Sequence, residues 1–143
     1  MENLNTVDIL LSIDKGDFKP EEKVIKIKSL SKLAKKDVTF KIKELKLEEF
    51  KRAQEIGTIK KRHGKVDFDD IKYGVEIILK GVVEPPLKDE KLLTHYGVET
   101  PKELVLKILK AGEIADICQS IEDLSGYRQD LEEVEEENKE IKN

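Results

Sequence analysis

The sequence predicts an α+β domain: an N-terminal two-stranded antiparallel hairpin followed by a mostly α-helical body of about five helices. Three observations point there. Residues 24–30 (VIKIKSL) and 38–44 (VTFKIKE) alternate apolar and polar side chains with period two, the pattern of half-buried strands. From Phe68 to Val82 the apolar residues recur at spacings of three and four, the pattern of a helix with one buried stripe. Beyond residue 88 the chain carries helix starts and stops in quick succession: Asp89 and Thr100 as caps, Gly97 and Gly126 as terminators.

In the hairpin, Ile25 and Ile27 face one side and Lys26 and Lys28 the other; Val38, Phe40 and Ile42 stand opposite Thr39, Lys41 and Lys43. Residues 31–37 read as its loop, with no Asn-Gly pair to fix the turn type. The lysine faces stay in water and blunt the exposed edges. Leu47, Phe50 and Ala53 then open a helix that Gly57 stops, with Lys46 standing where Ser or Asp would cap. Residues 58–66 (TIKKRHGKV) read as a basic loop.

The long helix follows, with Phe68, Ile71, Val75, Ile78, Leu79 and Val82 on its stripe. Asp67 is placed to cap it, and Asp69 and Asp70 suit its positive end. Gly74 within it costs about 1 kcal/mol relative to Ala, which close packing on a neighbouring helix would offset. Pro85 disfavours helical geometry at Glu84, so the helix should end near Val83. Asp89 starts a short helix with Leu92, Leu93 and Tyr96 inward. Thr100, Pro101 and Glu103 form a capping box for the next. That helix carries Leu104, Val105, Ile108 and Leu109. Ile114, Ile117 or Cys118, Ile121 and Leu124 continue the stripe, giving two helices or one bent at Ala111-Gly112. Residues 1–126 read as a single domain. Residues 127–143 read as an acidic tail, a frayed helix or a disordered segment.

The 143 residues amount to one domain. With 38% apolar residues, no Trp and 41% charged residues, the chain reads as a solvated helical module rather than an enzyme walling off a pocket. No apolar run approaches the roughly 20 residues that span a bilayer. Residues 1–18 lack the basic start and cleavage site of a secretory signal. A single cysteine excludes an internal disulfide, and a cytoplasmic home follows. The charge is graded: residues 1–65 hold 17 basic and 11 acidic residues, residues 66–129 hold 8 and 13, and residues 130–143 hold 2 and 7. Such a gradient reads as solvated faces, or as electrostatic contact with a partner or within the molecule.

No phosphate-binding glycine loop and no nucleophile elbow occur. His63 and His95 lack partners at metal-ligand spacing, so no metal or cofactor is expected. Cys118 lies on an apolar stripe, the usual place of a packed thiol. Asp67, Asp69 and Asp70 are explained by helix capping without hydrolytic chemistry. Lys60, Lys61, Arg62 and Lys65 could touch phosphates, but no helix-turn-helix spacing or aromatic pair accompanies them, and nucleic acid is the disfavoured partner. No catalytic residue is assigned.

Three stretches in order resemble one family. They are the lysine-rich strand pair VIKIKSLSKLAKKDVTFKIKELKLEEF, the block from Gly81 to Gly126, and the charged end of the chain. The distinctive parts are Val82 to Asp89 (V-x-x-P-x-L-x-D), Tyr96-Gly97, Ala111 to Ile114, and Leu124 to Gly126. Together these resemble the XkdN-like tail assembly chaperones of long-tailed phages and PBSX-like prophages. The resemblance implies a non-enzymatic protein of the host cytoplasm, absent from the mature virion. It implies a chaperone that binds the tape-measure protein and aids recruitment of tail-tube protein. It also implies, in many phages, a longer frameshifted form. Self-association is left open.

On this reading Glu84-Pro85-Pro86 is a rigid corner, and Pro85, Pro86, Leu87, Leu92, Leu93 and Tyr96 form a candidate partner surface. The rival readings are a small nucleic-acid-binding regulatory protein using the basic front, and a structural tail or connector subunit.

Overall fold

The structure, a computed structural model, describes residues 5–127. Strands β1 (Glu22–Lys26) and β2 (Thr39–Lys43) pair antiparallel, with Ile25 opposite Phe40 and Val24 opposite Lys41. The expected N-terminal antiparallel pair is therefore present, but it is not an isolated hairpin. A third strand, β5 (Val82–Glu84), pairs with the far side of β2, giving the order β1-β2-β5. The first strand stops at Lys26 instead of running on to Leu30. The expected loop holds a helix, α2 (Lys28–Ala34), which Lys35 closes with φ of 59°. Its anchor is Ser31: the hydroxyl accepts from the Val38 amide at 2.9 Å and donates to the Val38 carbonyl at 3.3 Å. That bond ties the middle of α2 to the approach of β2.

The helical body begins with α3 (Leu47–Gly57) and contains α4 (Asp70–Gly81), α5 (Glu90–His95), α6 (Pro101–Ile108) and α7 (Ala111–Leu124), the five helices expected. Among the described residues, α2 and a short N-terminal helix, α1 (Thr6–Leu11), add two more. Helix α4 is the hub, packed against α3, α6 and α7. The fully buried side chains come from every layer: Phe40 and Ile42 from β2, Phe50 from α3, Val75, Ile77 and Ile78 from α4, Leu104 and Val105 from α6, and Ile121 from α7. Burial of each such side chain contributes about 1.5–3 kcal/mol.

Several details of the long helix differ from the sequence reading. Its cap is Asp69, whose carboxylate accepts from the Ile71 and Lys72 amides at 3.0 Å, and not Asp67. Phe68 precedes the helix and is exposed, as is Ile71, while Ile77 is completely buried. Val82 belongs to β5, because pairing with Ile42 of β2 draws it out of the helix. Gly74 does lie against a neighbour: a Cβ there would stand 3.3 Å from Ile114 of α7. Gly81 is tighter still, since a Cβ would stand 2.5 Å from one carbon of Ile121 and 3.1 Å from two others.

Residues 58–66 are not a plain loop. Strands β3 (Thr58–Lys60) and β4 (Val66–Phe68) form a second antiparallel pair, with Arg62, His63 and Gly64 in a 3-10 turn at its tip. Helices α6 and α7 are separate, with the break at Leu109 and Lys110 rather than at Ala111-Gly112. Tyr127 stacks on Phe50 of α3, ring centroids 4.2 Å apart, and its hydroxyl accepts from Gln54 at 2.6 Å. The expectation of a frayed or disordered tail falls, from residue 128 on, outside the described residues.

Candidate functional site

The candidate surface is built where α4 ends. Gly81 closes the helix against Ile121, Val82 enters the sheet, and β5 runs three residues to Glu84. The Glu84-Pro85 peptide is cis. The Asp89 amide donates back to the Pro86 carbonyl at 3.0 Å, making a tight turn, and the Asp89 carboxylate then caps α5 through the Lys91 and Leu92 amides at 2.8 and 3.2 Å. Gly97, with φ of 66°, takes the left-handed conformation that ends the helix, and the Val98 amide reaches back to the Leu93 carbonyl at 3.0 Å. Thr100 caps α6 through the Glu103 amide at 3.1 Å. The reciprocal arm of that capping box is displaced by one residue: the Glu103 carboxylate accepts from Glu99, not from Thr100.

The six sequence-selected residues are divided by this geometry. Leu87 is buried in the core, and Leu92 and Leu93 are half-buried against it. Pro85 is half-buried, while Pro86 and Tyr96 are exposed, Tyr96 with the His95 ring set edge-on at 4.7 Å. Beside the corner runs a groove of about 350 Å³. Its apolar walls are Leu79, Val82, Val83, Pro86 and Leu87, and Lys88, Thr100 and Lys102 stand at its rim. Leu79, Val83 and Thr100 were missed from sequence. The legible signal was the Val82-Val83 pair directly before the prolines, which a helix assignment absorbed. The groove can seat an apolar side chain and place lysines around it.

A second groove, of about 380 Å³, lies between α4 and α7 and includes Asp70, Tyr73, Gly74, Cys118 and Glu122 in its lining. Glu122 is 2% exposed and accepts a hydrogen bond from the Tyr73 hydroxyl at 2.9 Å. Such a pair fastens α4 to α7. Cys118 is buried on the same face of α7, a packing position. Asp67, set apart from this groove, pairs with Lys61 at 3.2 Å in the β3–β4 hairpin. His63 sits at the hairpin tip and His95 at the end of α5. No group of three His, Cys, Asp or Glu side chains able to hold a metal occurs among the described residues. No helix among them is long and apolar enough to cross a membrane.

Among the described residues, the Glu113 carboxylate is clearly perturbed. Glu113, in the first turn of α7, accepts from the Ser29 hydroxyl at 2.6 Å, the Ser29 amide at 3.1 Å and the Lys110 amide at 3.1 Å. Burial pushes its carboxyl up, but those three hydrogen bonds and the Lys110 charge outweigh burial and hold it below the ordinary value.

Comparison with known families matches residues 7–139 to the phage XkdN-like tail assembly chaperone protein family. Comparison with curated proteins finds no match. Among solved structures, the crystal structure of the protein YqbN aligns with a TM-score of 0.53 at 20% identity, covering 80% of this chain and 97% of the other. At that identity the likeness is one of fold.

Proposed function

The chain belongs to the phage XkdN-like tail assembly chaperone family, and from that premise we propose that it is a non-enzymatic chaperone that binds the tape-measure protein during tail assembly. The family match over residues 7–139 carries this reading. In it, the protein acts in the host cytoplasm, keeps an apolar helical client soluble, helps bring tail-tube protein to that client, and leaves before the virion is complete. The contact surface is the corner after β5: Val83 and Pro86 are exposed on the groove and Tyr96 is exposed at the end of α5, while Pro85, Leu87, Leu92 and Leu93 are the more covered residues of the corner. The net charge of −4 supports such a role, because like-charged complexes repel one another.

The test is co-expression with a tape-measure protein from the same phage or prophage. The wild-type chain should co-purify with that protein and raise its soluble fraction. Val83→Lys together with Pro86→Lys should abolish co-purification while circular dichroism and melting stay unchanged, since both positions face solvent. Undiminished co-purification would move the contact elsewhere. No co-purification by the wild type, with a salt-sensitive shift of duplex DNA, would favour the regulatory reading; stoichiometric presence in purified particles would favour a structural subunit.

A further inference from the structure

We propose that the acidic C-terminal segment of this chain, residues 130–143, docks on the basic β3–β4 hairpin of the same molecule. The inference stands on the hairpin, and does not rest on the chaperone reading. The hairpin is a strongly basic protrusion: Lys60, Lys61, Arg62 and Lys65 crowd its tip, and every residue from Ile59 to Phe68 is exposed. Of these four cations, Lys61 alone has an ion pair among the described residues, with Asp67. Val66 lies open beside them at 67% exposure, and Phe68 keeps 41% exposure although one side of its ring leans on Tyr73, centroids 5.6 Å apart. A surface that is both cationic and apolar calls for an anionic, sparsely apolar ligand.

Residues 130–143 have that composition, with seven acidic and two basic residues and with Leu131 and Val134 three apart. Their point of departure is fixed. Tyr127 is clamped between Phe50 and Gln54 of α3. Gln54 also lines an open groove of about 760 Å³ with Lys51, Glu55, Thr58 and Lys60, and this groove leads from α3 onto β3. From Gln54 to the end of α3 and along β3 to Lys61 is a path of roughly 18 Å. Six residues span at most about 20 Å, so a chain leaving Tyr127 is long enough for the glutamates from Glu133 onward to reach the hairpin. Attachment at Tyr127 makes the encounter intramolecular, which favours it over an exposed ion pair between separate chains. Exposed charges weaken with salt, so the contact loosens as ionic strength rises.

The experiment uses the full chain, mixed one to one with a ¹⁵N-labelled copy, and a carbodiimide that joins carboxylates directly to lysines. At low salt, cross-links should join residues 130–137 to Lys60, Lys61 or Lys65 within one isotopic species, and should fall at least about fivefold in 0.5 M NaCl. Cross-links to lysines elsewhere, or only between differently labelled copies, would overturn the proposal. A second arm follows tryptic cleavage at Arg62. A full chain with Glu132, Glu133, Glu135, Glu136 and Glu137 changed to Gln should be cut several-fold faster than wild type at low salt; equal rates would also overturn it.

Discussion

The two sheets of this protein are made of similar residues and meet opposite fates. In β2, Phe40 and Ile42 are buried while Thr39 and Lys41 face water. In β4, a strand of the same chemistry, Val66, Asp67 and Phe68 are all exposed. Both strands belong to antiparallel pairs. What differs is the cover: α7 lies against β2 and is itself pinned by α4, whereas the β3–β4 pair meets the helices at its base, where Phe68 leans on Tyr73, and is exposed from Ile59 onward. Alternation in a sequence thus specifies an extended backbone with one apolar face. Whether that face is buried is decided by helices far away in the chain.

Substitutions in the two sheets give the comparison its most direct test. Phe40→Ala should cost about 3–5 kcal/mol, the usual penalty for emptying a buried aromatic site, whereas Phe68→Ala, which loses a half-covered ring and its contact with Tyr73, should cost about 1–2 kcal/mol. Chemical denaturation of the two variants measures both; similar losses would mean that the hairpin is buried in solution. Next in size is the helix cover. Gly81→Ala drives a methyl into three carbons of Ile121 and should cost about 1–3 kcal/mol. Gly74→Ala meets Ile114 only at 3.3 Å and should be near neutral, its small crowding offset by roughly 1 kcal/mol of helix propensity.

The chain end sharpens the contrast further. A chain ending at Tyr127 should be about 1 kcal/mol more stable than one ending at Gly126, because the stacked ring on Phe50 is lost in the latter. Thermal melts of the two resolve this.

Smaller still, and dependent on pH, is Glu113→Gln. The folded-state pKa of Glu113 lies below the ordinary value, so its stabilisation is complete above the usual glutamate pKa of about 4.3 and is lost as pH falls through the lower folded value. The variant should therefore be less stable than wild type by roughly half a kcal/mol near neutrality, since solvent screens the site. The gap should close in acid, as denaturation at pH 7 and at pH 3 would show.

Much of the helical body was legible because its signals are local. Asp89, Thr100 and Gly97 do what caps and terminators do, and the Gly74 expectation followed from the cost of a mid-helix glycine. The errors have a common cause. Helix α2 lacks a cap of its own, since no side chain of its N-cap residue, Ile27, bonds to it. Its anchors are Val38 and Glu113, and the latter is 84 residues on. Strand β5 was read as the end of a helix because Val82 fits the stripe; only β2 pulls it into a sheet. Of the candidate surface, the corner was visible in the two prolines. Which of its side chains remain outside was not, because Leu87 is buried by packing that no spacing encodes.

The Glu113 carboxylate has a kinetic consequence. Two amides that begin different helices, Ser29 in α2 and Lys110 before α7, donate to the same side chain. A helix of seven residues is marginal alone and would open and close freely. Here its first turn is released only when Glu113 lets go, and Glu113 is rooted in a fourteen-residue helix with four apolar side chains in the core. In hydrogen exchange the two amides should open as one cooperative unit, so that the short helix inherits the lifetime of the long one.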